Sequence, residues 1–303
     1  MPFTAKSGKF NASINAVEFG TGDKAVKIGG ENVFPLYSFD AAIENAPKVG
    51  IEITDFGMEH EPECIKKYYE GCATLADMVR KAASMEGVDF LSFRMEGGDP
   101  NGANKSTEEL IGELKEIADA VDLPLVVCGC KNVEKDAELF SKAAEALNGK
   151  NAVILSAKEE NYKTVGAAAG LAYKQVVGAE SAVDINLAKQ LNVLSSQLGV
   201  DSKSVVMNVG TAAVGYGFEY VISTMDRVKA AALQQGDANL QMPIITPVAS
   251  EAWGVKEAMA SETDAPEWGS QEERGIDMEV ETAMAVIAAG STAVILKHPE
   301  SIK

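Results

Sequence analysis

The chain has 303 residues, 46% of them hydrophobic and 24% charged, enough to bury a sizeable core in one large or two medium domains. Its formal net charge is −18, with acidic residues spread along the whole length and no lysine/arginine block, which argues against binding a nucleic-acid backbone or an anionic membrane. The opening MPFTAKSGKFNAS lacks an apolar stretch of signal-peptide length, and the longest apolar run, 285–296, is broken by Gly290, Ser291 and Thr292; a cytoplasmic protein is expected.

Residues 14–19 and 25–28 alternate apolar and polar around a turn cluster at 20–23, the pattern of a β-hairpin. From Val49 onward short apolar runs alternate with helical patterns of ten or more residues. The predicted strands are 49–54, 90–95, 125–130, 152–156, 175–179, 205–208, 243–248 and 292–296. The intervening helices are predicted at 73–85, 106–120 behind a capping box of Ser106 and Glu109, 133–147, 161–173, 183–198, 218–236 and 271–289. Eight β/α units without a linker predict a parallel (β/α)8 TIM barrel, with an open doubly wound sheet as the competing architecture. The expected organisation is a single domain over 1–303, in which 1–45 is an N-terminal hairpin extension and 46–303 the barrel. After the eighth strand only KHPESIK remains, so the closing C-terminal helix is expected to be missing.

The C-terminal ends of barrel strands carry the active face. Those ends and their loops present Glu52, Thr54 and Asp55; Arg94, Glu96, Asp99 and Asn101; Cys128 and Cys130; and Lys158 to Asn161. Further round come Glu180, Ser181, Asp184 and Asn186; Asn208 and Thr211; Thr246, Ser250 and Glu251; and Lys297 and His298. Glu159, Glu160 and Asp184 are read as helix caps. With only two histidines, His60 and His298, a histidine metal site has little to build on. No Cys-x-x-Cys occurs among Cys64, Cys72, Cys128 and Cys130, and they are read as reduced structural thiols. The inward positions of the sixth strand carry no Schiff-base lysine, the GYG at 215–217 lacks the third glycine of a dinucleotide fingerprint, and the Gly-x-Ser-x-Gly and His-Glu-x-x-His signatures are absent.

The most informative stretch is VVMNVGTAAVGYGFEY at 205–220, a strand emptying into a glycine loop before a helix. Gly210, Gly215 and Gly217 allow close backbone approach to a bulky ligand, and Asn208 and Thr211 offer hydrogen bonds. The rim is polar and rich in amides, with no acid–base pair tuned for hydrolysis. It suits a large, amide-decorated ligand.

GGDPNGANKS at 97–106, SAKEENYK at 156–163, ESAVDINLAKQLNVL at 180–194, GYGFEYVISTMDR at 215–227, EAWGVKEA at 251–258 and WGSQEERG followed by HPE resemble the small subunit of the corrinoid iron–sulfur protein. That family is similar to the delta subunit of the archaeal acetyl-CoA decarbonylase/synthase complex, and the match runs in order from Val49 to Glu300. The resemblance implies a barrel paired with a large subunit that carries a [4Fe-4S] cluster and a corrinoid-binding domain, the cobamide lying between that domain and the barrel mouth. It further implies a methyl carrier that accepts methyl from methyltetrahydrofolate through a separate methyltransferase and delivers it to carbon monoxide dehydrogenase/acetyl-CoA synthase. This is the reductive acetyl-CoA (Wood–Ljungdahl) pathway of anaerobic carbon fixation. The barrel would then be a subunit of a methyl-transfer system rather than a stand-alone enzyme, with no catalytic residue and no metal ligand of its own. Asn101, Asn208, Gly210, Thr211, Gly215, Tyr216 and Gly217 are the candidate corrinoid contacts. Two alternatives stay open: a methyltetrahydrofolate:corrinoid methyltransferase that binds a pterin in the mouth, and a purely structural barrel subunit.

Overall fold

A computed structural model describes residues 6–303. The hairpin strands β1 (Val17–Phe19) and β2 (Val26–Ile28) pair antiparallel. The barrel strands follow as β3 (Lys48–Thr54), β4 (Phe90–Arg94), β5 (Leu125–Cys128), β6 (Val153–Ala157), β7 (Val176–Glu180), β8 (Val205–Asn208), β9 (Ile244–Pro247) and β10 (Ser291–Leu296). They close in sequence order, and β10 returns to β3 in parallel register, with Leu296 opposite Ile51. Closure buries both faces of each strand, which is why these segments read as continuous apolar runs rather than alternating ones.

The helices are α1 (Glu63–Lys66), α2 (Leu75–Ala83), α3 (Thr107–Ala120), α4 (Val133–Ala146), α5 (Tyr162–Val165), α6 (Ile185–Leu198), α7 (Phe218–Leu233), α8 (Ala249–Ala252), α9 (Lys256–Met259) and α10 (Gln271–Ala289). Ser106 caps α3 by accepting from the Glu109 N–H at 3.1 Å, but the reciprocal capping box forms at Thr74 and Asp77 on α2. The helix predicted at 161–173 is a single α-turn that widens into a π-helix over 166–172. There Gly166 and Gly170 lie so close to Leu198 and Val200 that an added Cβ would sit 2.8 Å from each. Small residues let this element press against α6, and its backbone re-winds to keep its hydrogen bonds. Past β10 the chain makes a 3-10 turn over Pro299–Ile302.

Two apolar clusters form the core. The larger lies between the strands and the surrounding helices. The smaller fills the barrel interior and continues into the hairpin through Val17, Phe19, Val26 and Ile28, with the Phe19 ring edge-on to Phe90 at 5.5 Å. The hairpin therefore stoppers the N-terminal end of the barrel. Among the described residues the opposite end, where the strands finish, is the one left open to build a site.

Candidate functional site

Arg94, the last residue of β4, turns into the barrel and meets Glu52 of β3. Its Nε donates to Glu52 Oε2 at 3.0 Å, Nη2 lies 2.8 Å from the same oxygen in the ion pair, and both side chains are buried. The other oxygen, Oε1, is buried without a hydrogen-bond partner. Burial works against the Arg94 charge, but Glu52, with Cys128 and Glu96, outweighs it and raises the guanidinium above its ordinary value.

Beside this pair, β5 ends in Cys128, whose buried thiol is pushed up to about 11 by loss of solvation. Gly129 follows because the Asp136 carboxylate leaves no room: a Cβ there would lie 2.2 Å from its Oδ1. That oxygen accepts from the Cys130 N–H at 2.7 Å and the Cys130 thiol at 3.2 Å, while burial raises the Asp136 carboxyl above the usual range. On the far wall Asn208 donates through Nδ2 to Ser156 Oγ at 3.0 Å, and its Oδ1 accepts from the Gly210 N–H at 3.1 Å. Lys158 and Glu180 pair at 3.3 Å, and Lys131 reaches Glu251 across the rim at 3.1 Å.

Together these groups surround a cavity of about 300 Å³ at the strand ends. Among the sequence-predicted contacts, Asn208, Gly210 and Thr211 line it. The Thr211 hydroxyl oxygen is buried with no partner. Gly215 and Gly217 lie farther along the β8–α7 loop in left-handed backbone, at φ 86° and 84°. Between them Tyr216 is exposed and donates to Glu257 Oε2 at 2.6 Å, tying this loop to α9. Asn101 sits exposed in the β4–α3 loop, where its N–H donates to Asp99 Oδ1 at 2.9 Å; it is not among the cavity-lining residues. Asp184 caps α6, accepting from the Asn186 and Leu187 N–H groups. Lys131, Asp136 and Val183 line the cavity too, although they lie beyond the strand ends where rim residues were sought. Lys131 and Val183 each follow a strand end by three residues, which is the signal that could have found them, whereas Asp136 lies in the first turn of α4.

The β10 side of the mouth is held from behind. Glu279, fully buried in α10, accepts from the backbone N–H groups of Lys297 at 2.6 Å and His298 at 3.1 Å. The Lys297 ammonium then pairs with Glu61 at 2.7 Å. His298 stacks on Trp253 with centroids 5.6 Å apart, and its Nδ1 accepts from the Glu300 N–H at 3.1 Å. Among the described residues no three His, Cys, Asp or Glu side chains are grouped to hold a metal ion, and the four cysteines are free.

A closed parallel barrel with a cavity at its strand ends and a stoppered floor defines a (β/α)8-barrel protein whose candidate site is at the C-terminal mouth. The fold is shared with dihydropteroate synthase from Stenotrophomonas maltophilia, at a TM-score of 0.52 and 13% identity over 86% of this chain and 89% of that one. Dihydropteroate synthase from Vibrio fischeri is similar at a TM-score of 0.52 and 9% identity, covering 95% of both chains. The chain belongs to the CO dehydrogenase/acetyl-CoA synthase delta subunit family, which matches residues 16–297. It is 30% identical over 290 residues to acetyl-CoA decarbonylase/synthase complex subunit delta 1 of Methanosarcina thermophila, covering 93% of this chain and 65% of the relative. Subunit delta of Methanopyrus kandleri is 33% identical over 286 residues, covering 94% and 70%. The chain thus spans about 65% of the length of the first of these relatives. Among the described residues no helix is long and apolar enough to cross a membrane.

Proposed function

We propose that this chain is the barrel subunit of a cytoplasmic corrinoid iron–sulfur methyl carrier, working with a large subunit that brings the [4Fe-4S] cluster and the corrinoid-binding domain. Methyl would arrive from methyltetrahydrofolate through a separate methyltransferase and leave to carbon monoxide dehydrogenase/acetyl-CoA synthase. Membership of the delta subunit family supports the setting. The observation that carries the role is the stranded Thr211 hydroxyl in a cavity walled by Asn208, Ser156 and Arg94. A buried hydroxyl without a partner costs free energy, on the order of 1–3 kcal/mol, unless a ligand completes it.

The residues present fit such a ligand. The cavity of about 300 Å³ is far smaller than a corrin macrocycle, but it suits the carboxamide arms around one. Carboxamides both donate and accept, and this wall offers both: Thr211 and Arg94 as donors, Asp136 and Glu180 as acceptors. Val183, which lines the cavity, is an exposed apolar side chain that would cover part of a flat ligand and exclude water, and Tyr216 and Tyr220 are exposed farther along the chain after β8. When bound, the cobamide supplies a strongly nucleophilic cobalt that takes up and releases methyl. The barrel's own part is to hydrogen-bond the periphery through Asn208 and Thr211, give the backbone room at Gly210, Gly215 and Gly217, and shield the reacting face. Asn101 and Tyr216 would make outer contacts.

The test is the visible absorption spectrum of this chain purified alone and with the large subunit. Corrinoid bands in the complex only, weakened by Asn208→Ala and Thr211→Val, are expected. Absence of corrinoid from both samples, with tight methyltetrahydrofolate binding by the chain alone, would overturn the carrier reading in favour of a methyltransferase.

A further inference from the structure

Two consecutive residues of the β7–α6 loop that are not glycine hold left-handed backbone: Ala182 at φ 42° and Val183 at φ 66°. For a β-branched side chain this region is a steric outlier, because Cβ is crowded against the following carbonyl. The conformation is enforced from two sides. The Val183 N–H donates to the Val209 carbonyl at 2.8 Å, and the Val183 carbonyl lies 3.3 Å from Thr224 Oγ1, whose shorter bond, 2.8 Å, goes to the Tyr220 carbonyl. Gly210, itself at φ 94°, packs so closely that a Cβ on it would lie 3.3 Å from Val183 Cγ2.

The strain gains the core nothing. Val183 is 38% exposed, whereas the neighbouring valines of β7 and β8 are buried. Its side chain stands instead at the cavity, on the same side as Gly210 and the unpartnered Thr211 hydroxyl. Folding stability is forgone to hold an apolar group in the open, which makes sense when something absent from the free chain covers it.

We propose that Val183 is a ligand-contact residue whose isopropyl group is a pre-set apolar seat for the flat face of the cobamide. This rests on the carrier reading above. The rigid loop means that little ordering cost falls on binding, since the side chain is fixed before the ligand arrives.

The test compares the wild-type chain with Val183→Asn and Val183→Ala, each alone and in complex with the large subunit loaded with hydroxocobalamin. Asparagine tolerates left-handed backbone, so the Val183→Asn chain should melt about 2 °C higher than wild type while losing the seat. Both complexes should then hold hydroxocobalamin about tenfold more weakly, the effect of losing one buried isopropyl contact. Wild-type retention in both variants overturns the inference alone. So does loss of the large subunit with unchanged corrinoid content in whatever complex remains. A wild-type complex that takes up no hydroxocobalamin overturns the carrier reading and this inference with it.

Discussion

Arg94 and Glu52 meet on a single carboxylate oxygen, with Nε at 3.0 Å and Nη2 at 2.8 Å, and the second oxygen is left bare inside the barrel. A buried pair of this kind is strongly coupled, because either partner alone is a charge without compensation. Arg94→Met should destabilise the chain by about 3–5 kcal/mol, and Glu52→Leu in the same background should recover most of that loss. Urea denaturation of the two single variants and the double variant measures it. Additive losses would show that the pair is not coupled.

Gly50 of β3 faces the ring of Phe90 on the neighbouring strand, and a Cβ there would lie 2.1 Å from Phe90 Cε2. The ring also seats Phe19 of the hairpin, so it has no free direction in which to move. Gly50→Ala should therefore cost about 1–3 kcal/mol through overpacking, and Phe90→Leu should relieve part of the clash while adding a cavity of its own. Thermal midpoints of the single and double variants should be non-additive. Tolerance of Gly50→Ala at the wild-type midpoint would contradict the packing.

His298 is fully buried between Trp253 and Tyr68, with Glu272 Oε1 3.4 Å from its Nε2. Burial depresses its pKa below the ordinary 6.5, only partly offset by Glu272 and Glu300, while Lys67 adds to the depression. The folded state holds the proton less tightly than the unfolded chain, so this contribution to stability is complete above the ordinary value. It is lost as pH falls through the depressed folded pKa. Asparagine can still accept from the Glu300 N–H but does not titrate. The stability difference between wild type and His298→Asn should shrink as the buffer is taken from pH 7.5 towards pH 5. A difference constant across that range would refute it.

Burial raises the Cys128 thiol to about 11 and the Cys130 thiol to about 12, where Asp136 adds to the effect. At pH 8 neither offers much thiolate, the reactive species. Iodoacetamide should leave both unmodified in the native chain and alkylate both in urea, as read by peptide mass mapping. Labelling of Cys128 in the native chain at the rate of an exposed thiol would show that the barrel mouth admits the reagent and lowers the thiol pKa.

The barrel was legible because the buried strands leave short, mainly apolar runs and the helices between them caps or glycine stops. Asn208 and Thr211 could be placed at the mouth for the same reason: they follow directly on such a run. Partnerships across strands were not legible. Glu52 and Arg94 are 42 residues apart, and only barrel register brings them together. Asp136, read as part of a helix and found in α4, also accepts from the Cys130 N–H, because Gly129 lets the two approach. The π-helical stretch escaped because an alanine–glycine run fits several helical windings equally and only the closeness of α6 selects among them. Asn101 has the polarity expected of a site residue, but its loop turns back on Asp99, a local bond that residue type does not reveal.

Among the described residues the hairpin wedged beneath the strands makes the barrel a blind well that opens at the strand ends. Anything that enters must leave by the route it came, past Val183, Thr211 and the Lys131–Glu251 bridge. A protein seated on that doorway would therefore govern arrival and departure together, because among the described residues the hairpin packs against the other end of the strands. Changes at Phe19 or Ile28 should alter how long the vessel holds its shape, while changes at the rim alter how fast it is filled and emptied.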